Sequence, residues 1–217
     1  PLTYAINWGD GSAVQNLTAA ELAALSGNVA HTFADDQDGP ANATLRTISV
    51  TVNDGDGGSN LQTKDVTVSN VAPTAVVTGA DTVNEASVYT LTVGAVADPG
   101  ADIRTGYSIA WGDGSTSNFS PADWAAAAGS FTHTYADGAA SPTITVSATD
   151  EDGSFVLGTK SLTVNNVAPA LALAGAGTIN EGASYTLNVM GSDAAGAADP
   201  LTYAINWGDG SAVQNLT

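Results

Sequence analysis

The pentapeptide Trp-Gly-Asp-Gly-Ser occurs three times, at Trp8 to Ser12, Trp111 to Ser115 and Trp207 to Ser211. Each copy ends a run in which large apolar residues alternate with small or polar ones: Tyr4, Ile6 and Trp8; Tyr107, Ile109 and Trp111; Tyr203, Ile205 and Trp207. Alternation at period two places those residues on one face of a strand, and Gly-Asp-Gly is a tight-turn signal. Each copy therefore reads as a core strand running into a hairpin, and the chain reads as a β repeat protein.

A second recurring signal, Asn-Val-Ala-Pro, stands at Asn70 to Pro73 and Asn166 to Pro169, a spacing of 96 residues. Pro1 to Thr18 is identical to Pro200 to Thr217, 199 residues further on. Counted from the Val of the second motif, residues 71–166 form a complete unit of 96, and a second unit of 103 is divided between 167–217 and 19–70. The sequence thus predicts one period of a tandem array cut in mid-domain. Residues 1–70 are the C-terminal part of one unit, 71–166 a whole unit, and 167–217 the N-terminal part of the next, each end to be completed head-to-tail by a neighbouring copy of the repeat.

In the whole unit, Thr74 to Thr78 and Val88 to Val93 read as the first strands, with Asn84 and Glu85 in the turn between them. Tyr107 to Trp111, Phe131 to Tyr135, Thr143 to Ala148 (inward residues Ile144, Val146 and Ala148) and Lys160 to Val164 follow as further strands. One helix interrupts them: Ser120 as cap, Pro121 in the first turn, Asp123 at the third position, and Gly129 as the stop. Thr18, Glu21, Leu22, Leu25 and Gly27 write the same helix independently in the other unit.

These motifs, in this order, resemble the PKD (polycystic kidney disease) domain. The strand ending in Gly-Asp-Gly is followed by His133-Thr134-Tyr135, a Thr/Val-rich strand Thr143 to Asp150, and the exit Asn166 to Pro169. The other unit has Gly9-Asp10-Gly11, His31-Thr32-Phe33, Thr47 to Asp54 and Asn70 to Pro73, with Phe33 where the family has Tyr. The resemblance covers the whole chain. It implies an all-β fold of tandem immunoglobulin-like antiparallel sandwiches, here each carrying one short inserted helix, and a place in extracellular or cell-surface proteins.

Charge narrows the chemistry. Twenty-two acidic residues stand against four basic ones, a formal net charge of −18, so the surface repels nucleic acid and anionic membrane, and its natural small partner is a cation. No cysteine is present and no apolar stretch has membrane length; the expectation is no disulfide and no membrane insertion. In the sandwich that the resemblance implies, the linker leading in, the loop after the second strand and the loop between the last two strands meet at one end. That would gather Asn70, Asp98, Asp102, Asp150 and Asp152, a set of hard oxygen donors with no cation among them, suited to calcium. The matching set for the other unit is Asn166, Asp193, Asp199, Asp54 and Asp56. The acidic loop Asp35, Asp36, Asp38 is expected at the opposite pole, beside the following unit's leading linker. Against calcium stands the plain fact that Asp and Gly gather in turns for backbone reasons.

His31 and His133, the only histidines, sit at the same place in the two units without a nucleophile or second base beside them. They read as structural, and the chain as a non-enzyme. Taken together, the residues predict a structural repeat module of a long extracellular filament or adhesin stalk that sets length and stiffness and is rigidified by calcium, with cell-surface or matrix polysaccharide as a further partner. The alternative is a carbohydrate-binding or spacer module of a secreted degradative enzyme. Sugar binding needs exposed aromatics, and Trp124, on the inserted helix, is the one candidate.

Overall fold

A computed structural model describes residues 1–36 and 42–217. The fold is all-β, with two short helices and one 3-10 turn among the described residues. None of the described helices is long and apolar enough to cross a membrane.

Residues 1–70 build one four-stranded sheet. β1 (Thr3–Asn7), β2 (Gln15–Thr18), β3 (Ala43–Asn53) and β4 (Ser59–Ser69) pair antiparallel in the order β2-β1-β3-β4. Between β2 and β3 lies α1 (Ala19–Ala24), begun by a full capping box: the Thr18 hydroxyl accepts from the Glu21 amide while the Glu21 carboxylate accepts from the Thr18 amide. The capping predicted from sequence is present, but Leu25 is exposed rather than on a buried face.

Residues 71–166 form two sheets around a core. The first holds β5 (Val77–Gly79), β7 (Val88–Val93) and β10 (Ser130–Thr134) in the order β10-β7-β5, and beside it β6 (Thr82–Asn84). The second holds β8 (Gly106–Ala110), β9 (Thr116–Phe119), β11 (Thr143–Thr149) and β12 (Ser154–Ser161) in the order β12-β11-β8-β9. The alternating residues do what their period requires: Tyr89, Leu91, Val93 and Phe131 meet Ile109, Trp111, Ile144, Val146, Ala148 and Leu157 in one buried cluster. Burying each such side chain stabilises by about 1.5–3 kcal/mol. α2 (Pro121–Ala126), capped by Ser120 with Pro121 in its first turn, ends sooner than Gly129. One pairing departs from the antiparallel reading, because β13 (Thr163–Asn165) runs parallel to β6. The last strand comes back alongside an early one, which a hairpin cannot do.

Residues 167–217 make two small ladders, β14 (Ala170–Ala174) with β15 (Asn188–Ser192) and β16 (Tyr203–Ile205) with β17 (Gln214–Leu216). Leu171, Leu173, Met190 and Trp207 are exposed there. The same contrast marks β3: Ile48, Val50 and Val52, the counterparts of the fully buried Ile144, Val146 and Ala148, are only half-buried. The sequence pattern is the same, and the difference is the facing sheet.

Candidate metal centre

The linker from β4 to the next unit is short. After Ser69, Asn70-Val71-Ala72-Pro73 leads to Thr74, which already bridges Ala97, and Pro73 is fully buried. With no Gly/Ser spacer, the loop after His31 is pressed against the loop of the following unit, and the Ala101 amide donates to the Ala34 carbonyl at 3.0 Å. Between them lies a cavity of about 110 Å³ whose walls include Asp35, Asp36, Asn70, Val71, Gly100 and Asp102. Asp35 and Asp36 thus stand beside the leading linker; Asp38 lies outside the described residues.

Turn chemistry aims the carboxylates of the following unit. Asp150 Oδ1 accepts from the amides of Asp152 and Gly153 at 2.9 and 3.1 Å, closing the β11–β12 turn. The Glu151 carboxylate accepts the Ile103 amide with both oxygens, at 3.1 and 2.9 Å, tying that turn to the loop that carries Asp102. Oxygens of Asp36, Asp102 and Asp152 lie within 4.8 Å of one another, and so do those of Asp35, Asp102 and Glu151. Asp36 is 3 % exposed, Asp150 6 %, Asp152 7 % and Asp102 9 %. Among the described residues, both carboxylate oxygens of Asp36 and Asp152, and one each of Asp35, Asp102 and Asp150, are buried without a hydrogen-bond partner.

That is a costly arrangement for bare carboxylates. Two unit charges 4.8 Å apart repel by roughly 3 kcal/mol at an effective dielectric of about 20, and each unpartnered oxygen adds a desolvation penalty. Burial, reinforced by the charges of Asp98 and Asp35, pushes the Asp102 carboxyl up to about 7. Burial and the neighbouring Asp36 and Asp150 raise that of Asp152. The donors are all hard oxygens with neither His nor Cys, the set that suits calcium or magnesium rather than zinc. Calcium–oxygen distances near 2.4 Å place two ligand oxygens at most about 4.8 Å apart, and the observed triads meet that limit.

Asp98 is the member of the predicted set with a cation beside it. Arg104 Nη1 donates to Asp98 Oδ2 at 2.9 Å and Arg104 Nε to the Tyr107 hydroxyl at 3.0 Å. The expectation of no cation in this cluster is therefore corrected; an Arg six residues along the same loop reaches back over Asp98. Arg46 approaches from the other side but donates to the main-chain carbonyl of Asp36. Asn70 lines the cavity, its amide nitrogen buried without a partner.

The second predicted set is dispersed in this chain. Asp54 and Asp56 are exposed in the β3–β4 turn, where Asp54 accepts from the Asp56 and Gly58 amides at 2.8 and 2.9 Å, which lowers its carboxyl pKa. Asn166 is exposed in the linker after β13. Asp193 accepts from the Ala195 amide at 2.8 Å and keeps one buried oxygen unpartnered. Asp199 is raised by burial first and then by the charges of Asp193, Asp137 and Glu85.

Two further features complete the picture. Glu85, 1 % exposed, accepts from the Gly138 amide and from the Val167 amide, both at 2.6 Å, and so fastens the outgoing linker to its own unit. Sequence reasoning placed Glu85 only in a turn, and no pattern in the neighbouring residues announces a buried acceptor. Trp124 stacks on Tyr107 (centroids 4.3 Å, 10° between planes) and packs on Phe131 at 4.4 Å, so the sugar-binding candidate is taken up by the core. Compared with protein-family models and with curated proteins, the chain matches none.

Proposed function

We propose that this chain is a structural spacer: consecutive PKD-type, immunoglobulin-like units of a long extracellular filament or adhesin stalk, setting length and stiffness. The observation that carries this reading is the junction itself, where four linker residues, a buried proline and the Ala101 to Ala34 hydrogen bond join one unit to the next. A flexible linker would need Gly- or Ser-rich residues here. Supporting it, both units use the same turn, the same imidazole–carboxylate pair and the same helix insertion, the repetition a ruler needs and an active site does not. An acidic, Lys-poor surface keeps such a rod from sticking to itself. Neighbouring units of the same repeat are the partners in this reading.

The alternative of a carbohydrate-binding module draws no support from Trp124, whose ring packs against Tyr107, Phe119 and Phe131. Small-angle scattering on the chain, with electron microscopy of the longer protein that contains it, tests the spacer reading. At ~3.3 Å per residue along strands, each unit spans about 40 Å and a two-unit period about 80 Å. Scattering from a globule, or filaments without a repeat on that scale, would overturn it.

A further inference from the structure

We infer that the junction cavity is a divalent-cation site, calcium by its donor chemistry, whose ligands are drawn from two successive units: Asp36, with Asp35, from the first, and Asp102, Asp150 and Asp152 from the second. The consequence for stiffness rests on the spacer reading; the binding stands on the geometry alone.

Acidic residues gathered in turns would not carry this. What carries it is that Asp36 and Asp152 each bury both carboxylate oxygens with no hydrogen-bond donor among the described residues, and that Asp102 and Asp150 bury one each. Buried carboxylates are met by cations or by amides. Of the two guanidinium groups at hand, Arg104 is committed to Asp98 and Tyr107, and Arg46 donates through Nη2 to the Asp36 main-chain carbonyl rather than to its carboxylate, its Nε being buried without a partner. Three carboxylates converge within 4.8 Å across the seam, so a dication both cancels their repulsion and joins the loop of one unit to two loops of the next. Calcium fits better than magnesium, because donors drawn from three loops suit a large and irregular coordination shell.

The neighbouring junction supplies an internal contrast. Aligned on His-Thr-aromatic-Ala, Asp36 corresponds to Gly138, whose amide donates to Glu85. Where the first junction has an unpartnered carboxylate, the second has a carboxylate already satisfied by two main-chain amides. Asp193 at the second seam also keeps one buried oxygen without a partner, so the contrast between the two seams lies at this one position, a carboxylate in the first and a glycine in the second.

The test is calorimetric titration of calcium chloride into the chelator-treated full chain, with magnesium chloride as comparison. Variants are Asp36→Asn, Asp152→Asn and, as a control for lost charge, Asp65→Asn, an exposed residue of β4 that accepts from Thr47. Asn keeps the shape and removes repulsion, and near-ultraviolet circular dichroism checks that each variant folds. The expected result is one tight site in the parent and in Asp65→Asn, at least tenfold weaker binding in Asp36→Asn and in Asp152→Asn, and weaker binding of magnesium. No calcium binding by the parent overturns the site. Unchanged affinity in Asp36→Asn overturns the sharing between units. Scattering with and without calcium separates this from the spacer reading: binding intact but no gain in extension leaves the cation site standing and overturns its role in stiffness.

Discussion

His133 Nε2 lies 2.7 Å from Asp113 Oδ2, and the same pair recurs as His31 and Asp10 at 2.6 Å. In both places the imidazole also stacks on the motif tryptophan, Trp111 at 4.7 Å and Trp8 at 4.5 Å. The Gly-Asp-Gly turn and the distant His-Thr-aromatic strand are thus two halves of one contact. The aspartate closes its own turn, accepting from the Ser115 amide at 2.9 Å, and then holds the histidine flat on the indole. The Ser115 hydroxyl donates to the same carboxylate at 2.6 Å, so turn, imidazole and indole are tied into one contact that orders the fold.

This pair makes stability acid-sensitive. Burial alone would raise the Asp113 carboxyl, but hydrogen bonds from Ser115 and His133 hold it down at about 2. A depressed carboxyl contributes stability that is complete above its unfolded value near 3.8 and is lost as pH falls toward 2. With the side chain 31 % exposed, Asp113→Asn should cost about 1–2 kcal/mol at neutral pH. Denaturant melts at pH 7 and pH 2.5 check it: the gap between parent and variant should shrink at the lower pH.

The two glycines of the turn should respond differently to alanine. Gly112 has φ +84°, and a Cβ there would stand 2.7 Å from the Thr143 carbonyl oxygen, whereas Gly114, at φ +93°, has open space around it. Gly114→Ala meets only the backbone penalty of about 1 kcal/mol. Gly112→Ala adds a clash with β11 and should cost about 2–4 kcal/mol. Thermal melts of the two variants give the comparison, and equal losses would contradict the packing argument.

Glu85 is expected to matter out of proportion to its turn position. Glu85→Ala leaves the Gly138 and Val167 amides without their acceptor and should destabilise the chain by about 2–4 kcal/mol. Hydrogen exchange at the Val167 amide should speed up in the variant before the core strands respond, because the contact fastens the linker.

Calcium should raise the melting temperature of the parent chain, by the equivalent of about 2.7 kcal/mol when free calcium is a hundredfold above its dissociation constant. Asp150→Ala, which removes both a proposed ligand and the acceptor that shapes the turn holding Asp152, should abolish the calcium increment and lower the metal-free melting point as well. Asp98→Ala should affect it less, since Asp98 is paired with Arg104. Differential scanning calorimetry with chelator and with excess calcium reads all three.

Much of this protein is written locally. The strands carrying Ile109, Ile144 and Val146, the turns after Trp8 and Trp111, and both capped helices follow from periods, glycines and caps a few residues apart, and they are where the sequence puts them. Such features depend on neighbouring residues alone. The acidic residues of the site were also visible as residues: Asp102, Asp150 and Asp152 on one side, Asp35 and Asp36 on the other. What only the tertiary structure decided is which of them meet. The approach of Asp36 to Asp102 and Asp152, of Arg104 to Asp98, of Glu85 to Val167, and the parallel pairing of β13 with β6 all depend on how loops from distant parts of the chain are brought together. Charge and hydrogen-bonding capacity belong to a residue wherever it stands; burial, and with it the need for a partner, arises only when the units close on each other.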